Sequence, residues 1–237
     1  MKIERLDKIL SGTGLFSRAE ARDRIAAGRV TVDGTAVRRP ETKVSRASEI
    51  RVDGEPADTA EFVYYMLHKP AGYVSASKAE GRLSPVTDLL PESARRRGVQ
   101  CVGRLDGDVT GLLILTDDGA YIHRVTAPRS EIPKTYEVRV DGPLGPEDRT
   151  ALAAGTVTEG GTVYRPAELT VDSGDPCLAR ITVTEGKYHE VKNLMAVRGR
   201  HVLALKRVSI GALTLDGSLT PGACRAMTEE EIEAVFR

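Results

Sequence analysis

Along most of this chain apolar and polar residues alternate in short runs, and only a few stretches carry the three-to-four-residue spacing of a helix. In "FSRAEARDRIAAGRVTVDG" the pattern predicts a helix, a strand and a turn in succession. Ser17 and Glu20 form a capping box at the helix start, and Gly28 is placed to end it. Val30 and Val32 then alternate with polar residues up to the Asp33-Gly34 turn, which begins a hairpin, and "EIRVDG" is a further short strand ending at Gly54. The polar "DGEPADTAEF" reads as a linker. Beyond it, "FVYYMLHKPAGYVSA" is a strand interrupted by a Pro-Gly turn, "KTYEVRVDG" alternates as a strand, and "GPEDRTALAAG" is a short helix from Pro146 to its stop at Gly155. A last helix is capped by Thr228 and Glu231. Strands outnumber helices without alternating regularly with them, so the expected class is α+β rather than a doubly wound sheet.

The most apolar strand, "LLILT", is preceded by a glycine-studded polar loop and followed by the Asp117-Asp118-Gly119 turn, the whole reading "GRLDGDVTGLLILTDDG". This puts Asp106 at the rim of a sheet, on rigid scaffold and open to a cleft, where a reactive carboxylate belongs. As residues alone, Arg104, Asp106 and Asp108 also fit a polar turn, or an acid/base carboxylate pair of the glycosidase kind. "YHEVKNLMAV" reads as a helix whose first turn holds His189 and Lys192. Cations there oppose the helix dipole, a placement that signals an anionic partner.

At 237 residues, the chain is long enough for one large core and something smaller. Its composition, 41% hydrophobic and 29% charged, is that of a soluble globular protein. The longest apolar runs fall far short of a bilayer span, and the charged opening "MKIERLDKIL" has no signal core, so a cytoplasmic protein is expected. Cys101, Cys177 and Cys224 are odd in number and widely separated, against a disulfide framework. Neither they nor the four histidines show metal-ligand spacing, so no metal is expected. Lysines and arginines balance acids at 34 each, which argues against a binder held by bulk charge. The balance is uneven: Arg180 to Arg207 carries seven basic residues against two acids, with Arg200, Lys206 and Arg207 expected on a helix and contacting a nucleic-acid backbone. Arg18 and Arg22 share a helix face, with Arg29 just beyond Gly28.

Two resemblances sharpen this reading. "RLDKILSGTGLFSRAEARDRIAAGRVTVDGTAV" resembles the alpha-L motif, the small RNA-binding fold first described in ribosomal protein S-four, which implies that Arg18, Arg22 and Arg29 contact RNA phosphates. "GRLDGDVTGLLILTDDG" resembles the signature of the small-subunit family of ribosomal RNA pseudouridine synthases and its large-subunit relatives. "HKPAGYV", "KTYEV", "EGKYHEVKNLM" and "LKRVSIGALTLDG" follow that family's order. The resemblance implies an alpha-L RNA-binding domain at residues 1–58 and a larger mixed, mainly antiparallel catalytic domain at 60–237. It implies isomerisation of a uridine in ribosomal RNA without cofactor or metal, in a chain taken as a monomer. Asp106 matches the catalytic aspartate, Tyr136 the active-site tyrosine, Lys192 the basic partner of the aspartate, and Arg104 the residue that fills the place of the flipped nucleotide. "TDDG" favours the small-subunit branch over the large. The chain departs from the pattern at His68, Val109, Glu190 and Asn193, where Asn, Thr, Gln and Arg are usual.

Overall fold

The structure, a computed structural model, describes residues 3–237. The chain divides into two compact units. The first runs to Val63 and takes in Leu90–Val99; Tyr64–Leu89 and Gln100–Arg237 form the second.

In the first unit, the helices Leu6–Gly12 and Arg18–Ala26 pack Leu6, Ile9, Leu10, Ala21 and Ile25 onto Val30, Ile50 and Val52 of a small sheet. The expected capping box is formed: the Glu20 amide donates to Ser17 Oγ at 3.2 Å, and the Ser17 amide donates to Glu20 Oε2 at 2.7 Å. The strands Val30–Val32 and Thr35–Val37 meet at a hairpin whose Asp33 and Gly34 both have positive φ (49° and 79°). That conformation matches the twist of the flanking strands and is tolerated by Asp and Gly.

The second unit is built on a nine-stranded sheet. Its main path runs Glu168–Val171, Leu178–Val183, Lys134–Val140, Val202–Ile210, Thr110–Thr116, Tyr64–Lys69, Cys224–Ala226. Every pairing is antiparallel except that of Thr110–Thr116 with Val202–Ile210. The run Leu112–Leu115 has no exposed surface, as its lack of alternation requires of a strand covered on both faces. On one face Met66, Leu112 and Ile114 pack with Tyr121, Val125 and Val235. Asp117-Asp118-Gly119 does more than turn the chain. Asp118 Oδ1 accepts from the Ala120 and Tyr121 amides (2.9 and 3.0 Å) and starts a helix, Gly119–Thr126, that the sequence pattern did not reveal.

Arg200, Lys206 and Arg207 are not helical. Lys206 and Arg207 lie in the strand Val202–Ile210, and Arg207 is only 2% exposed. Among the described residues, no helix is long and apolar enough to cross a membrane.

Candidate active site

The loop from Gly103 to Val109 is held from three sides. Ser75 Oγ donates to the Leu105 carbonyl (2.8 Å) and accepts from its amide (2.9 Å). The Gly72 amide donates to the Gly107 carbonyl at 2.8 Å. Lys69, fully buried at the end of the strand Tyr64–Lys69, donates to the carbonyls of Val109 (2.8 Å), Asp106 (3.0 Å) and Pro70 (3.1 Å). Burial pulls its amine down to about 8, although the charges of Asp108 and Asp106 oppose the shift. "HKPAGYVS" is therefore the brace of the Asp106 loop. The signal was present in the sequence as a lysine closing an apolar strand just before proline, but spacing does not say what such a lysine holds.

The strand leaving this loop begins beside Val202–Ile210. Gly111 pairs with Arg207, and a Cβ on Gly111 would lie 2.2 Å from the Arg207 carbonyl oxygen, at a φ of +107°. Only glycine permits that approach. On its other side Arg207 pairs with Tyr136. Its Nε donates to the Leu112 carbonyl at 2.8 Å, and Nη1 reaches the Arg104 carbonyl at 3.5 Å. A guanidinium so engaged meets backbone inside the protein, not a phosphate at its surface.

Lys192 enters from the helix Glu190–Val197. Its Nζ lies 3.0 Å from Asp106 Oδ2 and 2.8 and 2.9 Å from the two oxygens of Asp108. These carboxylates are the anionic partners that a lysine in a first helical turn calls for. Partial burial would lower the Lys192 amine, but the hydrogen bonds it donates to Asp108 and Asp106 win and hold it above its ordinary range. The Asp108 carboxyl, in turn, is held low by Lys192 against its own desolvation.

His189 precedes this helix in the left-handed conformation (φ 53°). Its ring stacks on Tyr188 with centroids 3.7 Å apart, and its Nε2 sits 3.4 Å from Asp106 Oδ2. The sequence placed His189 only on a helix turn. A positive φ at a non-glycine residue leaves no signature in spacing, so this contact was not foreseen.

Asp106, Tyr136, Lys192, Arg104 and Arg207 all line one cleft of about 1210 Å³ within the second unit. Asp106 is partly open to it, Arg104 is exposed at its edge, and Tyr136 is half-buried. The arrangement presents a carboxylate oxygen fixed by a cation, in a cleft that an aromatic ring also lines and that is large enough for a nucleotide. In the first unit Arg18 and Arg22 are exposed on one helix. Arg29 is exposed but bound to Asp53, its Nη2 2.7 Å from Oδ2.

The sequence matches the RNA pseudouridylate synthase family over residues 63–197 and the S4 domain over residues 4–50. It is 40% identical to an uncharacterized RNA pseudouridine synthase of Bacillus subtilis, covering 96% of each chain. It is 39% identical to ribosomal small subunit pseudouridine synthase A of Escherichia coli K12, covering 98% of this chain and 99% of the relative. Among solved structures, a pseudouridylate synthase superimposes with a TM-score of 0.69 at 32% identity, covering 98% and 99% of the two chains.

Proposed function

Since the chain belongs to the RNA pseudouridylate synthase family and is a pseudouridine synthase, we propose that it acts on one uridine of small-subunit ribosomal RNA through Asp106. The observation that carries this reading is the Asp106 oxygen held 3.0 Å from Lys192 in an open cleft. The substrate assignment leans on identity to the Escherichia coli small-subunit enzyme across nearly the whole chain.

In the reaction the bond from C1′ to N1 breaks and one from C1′ to C5 forms, while C5 loses a proton and N1 gains one. A carboxylate beside C1′ stabilises the developing positive charge of the sugar, as nucleophile or as counter-charge. Lys192 holds it in place through the 3.0 Å contact. Tyr136 stacks on the freed base, and its hydroxyl takes part in proton transfer at C5. The target must leave its stack to reach the cleft, at a cost of roughly a few kcal/mol. Arg104, planar and exposed, fills the gap left behind. The uracil leaves and returns within one pocket, so the chemistry balances without cofactor or metal. Residues 1–58 serve as the RNA-binding domain, with Arg18, Arg22 and Arg29 toward phosphates, and 60–237 as the catalytic domain of a cytoplasmic monomer.

The test is carbodiimide labelling of ribosomal RNA from wild-type and deletion cells, read as reverse-transcription stops. Loss of one stop in small-subunit RNA is expected. Loss confined to large-subunit RNA would reassign the substrate, and a pattern with every stop retained would overturn both readings. Restoration by the Asp106→Asn chain would mean an RNA-binding assembly factor without chemistry.

A further inference from the structure

Three of the eight large apolar side chains that stay exposed among the described residues, Val157, Val163 and Tyr188, line the active-site cleft. Exposed apolar surface gathered in one place marks a site that receives a partner. Tyr188 is the most open of the eight at 79%, although a tyrosine ring ordinarily buries most of its area. Val157 and Val163 pair across a short hairpin, Thr156–Val157 with Val163–Tyr164. Lys187, next to Tyr188 in the chain, donates from Nζ to the Val163 carbonyl at 2.5 Å and so ties that hairpin to the Tyr188 loop.

The exposed ring sits on a fixed backbone. Asn193 Nδ2 donates to the Tyr188 carbonyl at 3.3 Å and to the hydroxyl of the buried Tyr164 at 2.7 Å. The Asn193 amide donates to the His189 carbonyl at 2.9 Å. On the other side the Lys187 amide donates to Glu190 Oε2, and the Glu190 amide to the Lys187 carbonyl, each at 3.2 Å. The Tyr188 ring stacks on His189 with centroids 3.7 Å apart and planes 21° from parallel. One ring face is therefore covered by an imidazole, and the exposure belongs to the other. Through His189, whose Nε2 lies 3.4 Å from Asp106 Oδ2, the ring is one side chain removed from the reacting carboxylate.

An aromatic face that is open, held in advance and beside a nucleotide-sized cleft is a partner for a flat ring, and ordering it on binding costs little. Flipping the target uridine leaves its neighbours in the strand without a stacking partner. Resting on the pseudouridine synthase reading of Asp106, we propose that Tyr188 is the platform on which a base adjoining the target stacks. Stacking of this kind tolerates any base and strengthens RNA binding at least about fivefold. Tyr188 is thus a positioning residue: it holds the strand at the cleft and takes no part in bond making.

Once the modified uridine is mapped, the probes are three synthetic rRNA fragments: the complete sequence, and two that lack the base of the nucleotide before or after the target. Filter binding compares them on wild type, Tyr188→Ala and Tyr188→Trp. One abasic fragment should bind wild type at least about fivefold more weakly than the complete fragment, and Tyr188→Ala should bind those two equally. Tyr188→Trp should keep the wild-type preference, because another flat ring supplies the same face. Equal binding of all three fragments by wild type overturns the proposal, and that comparison needs no variant. Undiminished discrimination by a folded Tyr188→Ala chain overturns it as well, since a ring that merely covered His189 would weaken every fragment alike. If an rRNA transcript labelled with tritium at uridine C5 releases no tritium to wild type, it is the reading of Asp106 that fails.

Discussion

Replacing Lys69 with methionine separates the loop brace from everything else in the site. Methionine fills nearly the same space, so the change removes one ammonium and its hydrogen bonds to the carbonyls of Val109, Asp106, Pro70 and, at 3.5 Å, Gly107. The ammonium is expensive to keep. Its descent from an ordinary 10.5 to about 8 corresponds to about 3 kcal/mol of lost stability. The folded value is depressed, so the contribution is favourable above 10.5 and is lost as pH falls through 8, leaving the full cost at neutrality. Methionine relieves that cost but leaves the buried Val109 carbonyl without this donor, at ~1–3 kcal/mol, while the Asp106 carbonyl keeps the Val109 amide. The two effects oppose and largely cancel, so the net change of stability at pH 7 is within about 2 kcal/mol. The larger consequence is local, because the Val109 and Asp106 carbonyls released belong to the loop that aims Asp106. A displacement of ~1 Å at a reacting group costs about 100-fold in rate. Single-turnover tritium release at saturating RNA should therefore fall about 100-fold, while filter-binding affinity for the same RNA stays within about twofold. Thermal unfolding fixes the folded fraction at the assay temperature. A Lys69→Met enzyme that is folded and reacts at the wild-type rate would refute the reasoning, as would one whose slowing merely tracks its unfolded fraction.

Four further outcomes follow from the same geometry. Asp106→Asn should abolish tritium release, at least ~1000-fold down, while Asp108→Asn should stay within about tenfold, because Asp108 is the more exposed partner and Lys192 retains Asp106; equal damage from both would instead favour a paired-carboxylate mechanism. Glu190→Gln should stabilise the fold by up to about 3 kcal/mol at pH 8 and little at pH 4, since the raised carboxyl contributes stability below 4.5 that is lost as pH rises through about 7. Urea titrations at the two pH values measure it. Gly111→Ala should cost more than ~3 kcal/mol, by strain at positive φ and collision with the Arg207 backbone, and soluble expression with wild-type stability would contradict that packing. Arg18→Glu combined with Arg22→Glu should weaken rRNA binding and lower the slope of log affinity against log salt by about 1.5, whereas an unchanged slope would remove both from the phosphate contacts.

Local rules were legible in the chain wherever neighbours in sequence are also neighbours in space. The Ser17/Glu20 and Thr228/Glu231 boxes, the Asp33-Gly34 hairpin and the buried "LLIL" strand all formed where the pattern put them. Each depends on contacts within a few residues, or on a periodicity that burial imposes directly. The sequence also signalled that Lys192, in a first helical turn, needed an anion.

What it could not decide was anything that depends on strands brought together from far apart. Asp106 and Lys192 are 86 positions apart, and only the sheet order brings their side chains to 3.0 Å. Lys69 and Arg207 look like surface cations in composition, yet the strands bury both and turn them onto backbone carbonyls around one loop. His189 reaches Asp106 through a left-handed residue, and Glu190 owes its altered acidity to burial. The amino-acid order by itself determined which elements form and which residue types are available for chemistry, because those follow from short-range sterics and periodicity. The tertiary structure decided which charges meet and which are stripped of water, because desolvation and Coulomb energies depend on distance in space rather than along the chain.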